Sequence, residues 1–278
     1  MSKTVGSLYA EHQGYVSDKW ASYLPVYDRW FASYQDAPIN LLEVGVQNGG
    51  SLQIWAKYFA NAKKIVGCDI NPDCAQLDFN DPRIALVLGD AKDSTVREQI
   101  LKHSEVYEII IDDGSHLNAD IIKTFQFFYS RLAPGGIYVI EDLHCSYWAK
   151  WHGGLWRADS AMEFFKSLTD VLNLESWGVK ILPANRAAKL KTKSHTRFKP
   201  ANYADIESIS FYNSMCLIVK GHEPNSIGGR VVAGEVALVS KNLPKTNSKI
   251  IIPFQKKNVK KLKLKKWPNQ IQREKASS

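Results

Sequence analysis

Cysteine is scarce and unpatterned in this chain: four thiols in 278 residues, Cys68, Cys74, Cys145 and Cys216, with no C-x-x-C pair. That argues against a disulfide framework and for a reduced compartment, and Cys68 and Cys216 fall in apolar runs where a thiol packs as a small hydrophobe. No stretch approaches eighteen uncharged apolar residues, and residues 1–20 lack the apolar core of a secretory leader. The expectation is a soluble, cytoplasmic protein. The G-x-G-x-x-G turn of dinucleotide binders is also missing, which weakens a nicotinamide dehydrogenase reading, and there are no internal repeats.

The formal net charge of +8 suggests a nucleic-acid partner until it is divided along the chain. Residues 241–278 hold twelve Lys or Arg and a single acid, Glu274, a net of +11, whereas the first 240 residues carry 24 basic and 27 acidic groups. The basicity therefore belongs to a tail and not to the fold. Within it, residues 256–267 interleave lysines with Val259, Leu262, Leu264 and Trp267. That pattern admits a solvated tail, peripheral docking of residues 254–278 on an anionic membrane, or contact with an acidic polymer.

A chain of this length suffices for one large α/β domain with extensions, or for two small domains. Apolar residues at three- and four-residue spacing predict a helix over 20–34, with Ser17 as a candidate N-cap. Strands are predicted at 39–46, 64–68, 84–88, 106–111 and 136–140. Helices are predicted between them at 51–59 (opened by a Ser51 cap), 94–103 and 117–132, and a further one at 160–172. This alternation argues for a parallel sheet wrapped by helices. Residues 206–211 and 215–220 read as a closing hairpin, residues 184–200 as a basic exposed loop, and residues 230–240 as one more strand. The expected layout is an N-terminal helical segment (1–35), a core (36–222) and an appendage with the basic tail (223–278).

The chemistry-bearing residues sit just past the strand ends. A strand, helix, strand unit is strongly biased to a right-handed crossover with parallel strands, and ligands of open α/β sheets bind beyond the carboxyl ends. Asp112-Asp113-Gly114-Ser115-His116 and Glu141-Asp142 follow two such strands. Asp113, Glu141 and Asp142 would repel one another unless a cation joined them, and an all-oxygen set favours Mg²⁺, with Mn²⁺ or Ca²⁺ as alternatives, over zinc. His116 is then free to move a proton. Asp69, ending the second strand, can accept ribose hydroxyls, and Asp90, ending the third, can receive an adenine amino group.

These residues carry a resemblance. Leu42-Glu43-Val44-Gly45-Val46 with Gly49-Gly50-Ser51-Leu52, the Ile111 to His116 motif, Pro134-Gly135-Gly136 and Tyr138-Val139-Ile140-Glu141-Asp142-Leu143 together resemble one group of class I S-adenosylmethionine-dependent methyltransferases. These are the metal-dependent O-methyltransferases of macrolide sugars and their relatives in glycan and cephalosporin pathways. The resemblance implies a Rossmann-like, mostly parallel seven-stranded sheet whose last strand is antiparallel, with an N-terminal helix and a C-terminal basic extension added here. It implies Mg²⁺ on Asp113, Glu141 and Asp142, His116 as general base, and S-adenosylmethionine held by Glu43, Gly45, Gly49, Ser51, Asp69, Asp90 and Asp112. The acceptor would be a small molecule or glycan hydroxyl, with self-association into a homo-oligomer left open. A runner-up, an RNA methyltransferase or nucleic-acid-binding protein recruited by the tail, is disfavoured because base N-methylation often uses an N-P-P-Y-like motif where Asp112 to His116 stand.

Overall fold

The computed structural model describes residues 3–177, 199–236, 238 and 239. Seven strands form one sheet, β1 (Asn40–Val44), β2 (Lys64–Asp69), β3 (Ile84–Leu88), β4 (Tyr107–Asp112), β5 (Leu132–Ile140), β6 (Ile206–Tyr212) and β7 (Met215–Lys220). Their order is β3-β2-β1-β4-β5-β7-β6. The first five run parallel, and β7 enters antiparallel between β5 and β6. The Rossmann-like sheet with an antiparallel last strand is therefore present.

The strands are apolar on both faces because helices cover both, as parallel sheets require. Leu41, Ile109 and Ile111 pack on one side with α1 (Val5–Ala10), α2 (Leu24–Phe31) and α3 (Gly50–Tyr58). Leu42 and Ile110 face the other with α4 (Ser94–His103), α5 (Asn118–Phe128) and α6 (Ala161–Val171). All four cysteines are buried and unpaired. Ser160 caps α6 by accepting the Glu163 N–H at 3.2 Å. Its replacement by alanine is expected to cost about 1 kcal/mol in urea denaturation, the usual value of such a cap.

Several local expectations are corrected. The helix predicted from residue 20 starts at Leu24, because Pro25 fits a first turn but cannot continue a helix from residues before it. Ser17 caps nothing; its hydroxyl pairs with that of Tyr9. Ser51 lies inside α3, which opens on Gly49 in the left-handed region (φ +81°). The predicted strand at 230–240 is absent from its described residues, and Val231, Val236, Leu238 and Val239 are exposed. The chain divides into units 1–228 and 229–278, and the described part of the second holds no helix or strand. Residues 184–198 of the basic loop and all of 254–278 lie outside the described residues. Among the described residues no helix is long and apolar enough to cross a membrane.

Candidate active site

The carboxyl ends of the parallel strands open on a cavity of about 570 Å³. Gly45, Ser51, Asp69, Asp90, Asp112, Asp113, His116 and Asp142 line it, so eight expected site residues share one space; Glu43, Gly49 and Glu141 lie off its wall. Residues 16–19 close one side. They belong to an N-terminal strap held down by Gly50 N–H donating to the Val16 carbonyl (3.2 Å) and Tyr15 N–H donating to Gln53 (2.8 Å).

On the β1–β2 side the backbone is the working surface. Gly45 has φ +94°, and a Cβ there would stand 2.0 Å from the Asp113 carbonyl, so only glycine lets β1 turn beneath the Asp113 loop. Gly45→Ala is expected to cost about 1–3 kcal/mol of stability, seen as a lowered melting temperature. Asp69 Oδ2 accepts the N–H groups of Val46 (2.7 Å) and Gln47 (2.9 Å), and Oδ1 that of Asn71 (2.8 Å). A carboxylate offers about four acceptor positions, so Asp69 organises the turn and keeps about one for a ligand. Asp90 accepts from the Lys92 N–H (2.8 Å) and faces the Lys92 ammonium at 3.3 Å.

Asp112 differs from its neighbours. It is buried, Oδ1 receives only a long contact from Gly114 N–H (3.4 Å), and Oδ2 has no hydrogen-bond partner among the described residues. Burial pushes its pKa up to about 8. An orphaned carboxyl on a cavity wall has hydrogen-bonding capacity left for a ligand.

On the strap side, Lys19 reaches in toward the carboxylates. Its ammonium lies 2.5 Å from Asp113 Oδ2, 2.8 Å from Glu141 Oε1 and 3.5 Å from Glu43 Oε1, and its side chain is 2% exposed. Burial works against this charge, yet Asp113, Glu141 and Glu43 outweigh it and raise the ammonium's pKa well above its ordinary range. Burial also raises Glu43, against Lys19 and the Ser51 hydroxyl, which donates at 2.7 Å. Glu141 is pushed up to about 8 by burial and by Asp113, with Lys19 opposing. Raised pKa values at buried Glu43 and Glu141 beside a raised ammonium are consistent, because one cation is shared among several carboxylates.

Asp113, His116 and Asp142 place one ligand atom each within 4.8 Å of one another. His116 and Asp142 both have φ +54°, a conformation costly for non-glycine residues that aims the two side chains together. His116 Nε2 stands 3.7 Å from Asp142 Oδ2. Asp142 Oδ1 accepts from the Tyr23 hydroxyl (2.7 Å) and Trp20 Nε1 (3.1 Å). Around this group the edge of His144 meets Trp20 at 5.7 Å and Trp148 at 4.7 Å, and Trp151 stands against His116 at 5.5 Å. Trp20 and Trp148 are half exposed. Glu141, the third expected ligand, is turned instead to Lys19 and the Tyr27 hydroxyl.

No family model matches the chain. Over 230 residues it is 30% identical to demethylmacrocin O-methyltransferase of Streptomyces fradiae, spanning 77% of this chain and 53% of that protein. Over 168 residues it is 33% identical to 8-demethyl-8-alpha-L-rhamnosyl tetracenomycin-C 2'-O-methyltransferase of Streptomyces olivaceus, spanning 56% and 43%. The chain thus spans about half the length of the curated relatives it matches. Among solved structures it superposes on MycE, a methyltransferase of the mycinamycin biosynthetic pathway in complex with Mg, SAH and mycinamycin VI. The TM-score is 0.59 at 26% identity, over 76% of this chain and 52% of that one. This chain has the class I S-adenosylmethionine-dependent methyltransferase fold.

In that methyltransferase fold, the residues missed by sequence reasoning come from the N-terminal segment: Lys19, Trp20, Tyr23 and Tyr27. Tyr23 and Tyr27 stood on the predicted apolar face as core aromatics, and their hydroxyls are what reach Asp142 and Glu141. A lysine beside that face was the available signal. Ser214, at the tip of the β6–β7 hairpin, was equally hidden; its hydroxyl meets Tyr23 (2.8 Å) and the His144 ring.

Proposed function

We propose that this chain is a divalent-cation-dependent O-methyltransferase that uses S-adenosylmethionine to methylate a hydroxyl of a sugar or related polyhydroxyl acceptor. The observation that carries the reading is the gathering of Asp113, His116 and Asp142 at the mouth of the strand-end cavity, with the orphaned Asp112 within it. The donor sets fit both absent groups. Asp112 would meet the ammonium of S-adenosylmethionine, with Asp69, Asp90 and the Gly45 turn shaping the rest. Asp113, Asp142 and, once it leaves Lys19, Glu141 would offer oxygens to Mg²⁺.

When bound, these groups supply an electrophilic sulfonium methyl and a lowered pKa for a coordinated hydroxyl. The chain's own residues do the remainder. His116 takes the acceptor proton at Nε2, and Asp142 Oδ2 stabilises the resulting imidazolium from 3.7 Å. Tyr23 and Trp20 fix the Asp142 carboxylate, and the exposed Trp20 and Trp148 beside the cavity would offer a sugar ring an apolar surface. The relatives named for demethylmacrocin and rhamnosyl tetracenomycin support an acceptor of this class.

The nucleic-acid alternative fits the described cavity poorly. Seven aspartates and two lysines line it, a balance that repels phosphodiesters. A contact of residues 254–278 with an anionic membrane stays part of the reading on the strength of its lysine-apolar interleaving. Equal sedimentation with phosphatidylserine liposomes of the full chain and a chain lacking those residues removes it. The function itself is tested by calorimetric titration of S-adenosylmethionine and then Mg²⁺, followed by methyl transfer to a panel of glycosides. Absence of cofactor binding overturns it.

A further inference from the structure

Lys19 does not belong to the chemistry described above, yet it is the most heavily paired cation among the described residues. Its ammonium sits on Asp113 at 2.5 Å and Glu141 at 2.8 Å, two of the three carboxylates that the sequence suggests for a metal. Tyr27 secures Glu141 in that position, and burial of the lysine side chain leaves it no solvent to return to without moving the strap. The group of Asp113, His116 and Asp142 shares its first member with Lys19 and does not include Glu141.

We propose that Lys19 is a built-in competitor of the divalent cation: its ammonium neutralises the carboxylate cluster in the metal-free protein and opposes metal binding at Asp113 and Glu141. The inference rests on the metal-dependent reading of the site. Two physical consequences follow. Lys19 lets three buried or half-buried carboxylates coexist before a metal arrives, since unpaired they would repel across low-dielectric space. A cation binding there must displace or share the ammonium, so metal affinity and the seating of residues 14–20 oppose each other reciprocally. Lys19 is a positioning residue, acting through Asp113 and Glu141.

The test is isothermal titration of Mg²⁺ into full-length wild type, Lys19→Met, Glu141→Gln and the double variant, with binding of S-adenosylhomocysteine as a check of folding. Lys19→Met is expected to bind Mg²⁺ about tenfold or more tightly, the scale on which groups contacting metal ligands act, and the added Glu141→Gln change should remove part of that gain. Hydrogen exchange over residues 14–20 should quicken on Mg²⁺ addition in wild type and be insensitive to it in Lys19→Met. A purely structural lysine would produce neither result. Unchanged or weaker Mg²⁺ binding by a Lys19→Met protein that still binds S-adenosylhomocysteine overturns the competitor role and leaves the proposed function standing. Binding by the variant but not by wild type supports the competitor and overturns metal dependence of the natural chain; binding by neither overturns both. Should Lys19→Met not fold, the double variant against Glu141→Gln decides, with tighter binding expected from Asp113 alone and equal or weaker binding overturning the proposal.

Discussion

Replacing Asp113 with alanine is expected to slow methyl transfer severely while leaving cofactor binding in place. The side chain contributes an oxygen to the Asp113, His116 and Asp142 group and nothing to the β1–β2 turn that shapes the opposite wall. On the proposed function, the acceptor hydroxyl would then keep a pKa far above that of imidazole, and His116 would face a proton it cannot take. The expected loss in kcat is on the order of 10²–10⁴, the range that proton transfer contributes, with Mg²⁺ affinity reduced by at least about 10–100-fold. The fold should survive, because Lys19 retains Glu141 and Glu43 as partners. Steady-state kinetics beside calorimetry of both ligands gives the answer. Normal turnover by Asp113→Ala would sink the catalytic assignment.

The second large effect concerns Asp112. Replacing this carboxyl with the asparagine amide should weaken S-adenosylmethionine binding by about 10–100-fold, the value of a hydrogen bond to a charged group. It should also stabilise the cofactor-free protein. Burial holds the Asp112 carboxyl at a pKa of about 8 in the folded chain, against about 3.9 when unfolded. The folded state therefore keeps a proton that the unfolded state has released, so stability is highest below about pH 4 for this group and declines as pH rises toward 8. Asparagine removes that dependence. Asp112→Asn should melt above wild type at pH 8, by the equivalent of about 1–3 kcal/mol, with the difference shrinking toward pH 5. A variant that melts lower at pH 8, or binds the cofactor as tightly as wild type, contradicts this account.

Legibility in the sequence followed the range of the interactions concerned. Strand 84–88 and helix 94–103 were found to the residue, because apolar periodicity and the Gly89-Asp90 turn are local signals. The strand-end aspartates were found for the same reason: their positions follow from where each strand stops. The strap was not, since residues 11–20 have no periodicity and are placed by distant contacts with α3 and the carboxylate cluster. The sequence places Glu141 with Asp113 and Asp142 around one cation; in the structure Glu141 meets Lys19 and Tyr27 while Asp142, with its left-handed backbone, faces His116. Nothing in a one-dimensional pattern reports that turn of the chain. The predicted strand at 230–240 failed because β-branched composition alone does not supply a neighbour to pair with.

The cavity and the surface beside it are made of different material. The β1–β2 end is main chain held by Asp69, where a substitution disturbs several amide groups at once. Beside His116 and Asp142, outside the cavity's lining, stands a set of tryptophan and histidine side chains drawn from segments far apart in sequence, around residues 20 and 144–151. Such a wall can be recast one side chain at a time without moving the backbone opposite. If the proposed function holds, descendants of this chain are expected to diverge in the alcohols they accept sooner than in the methyl-donor end.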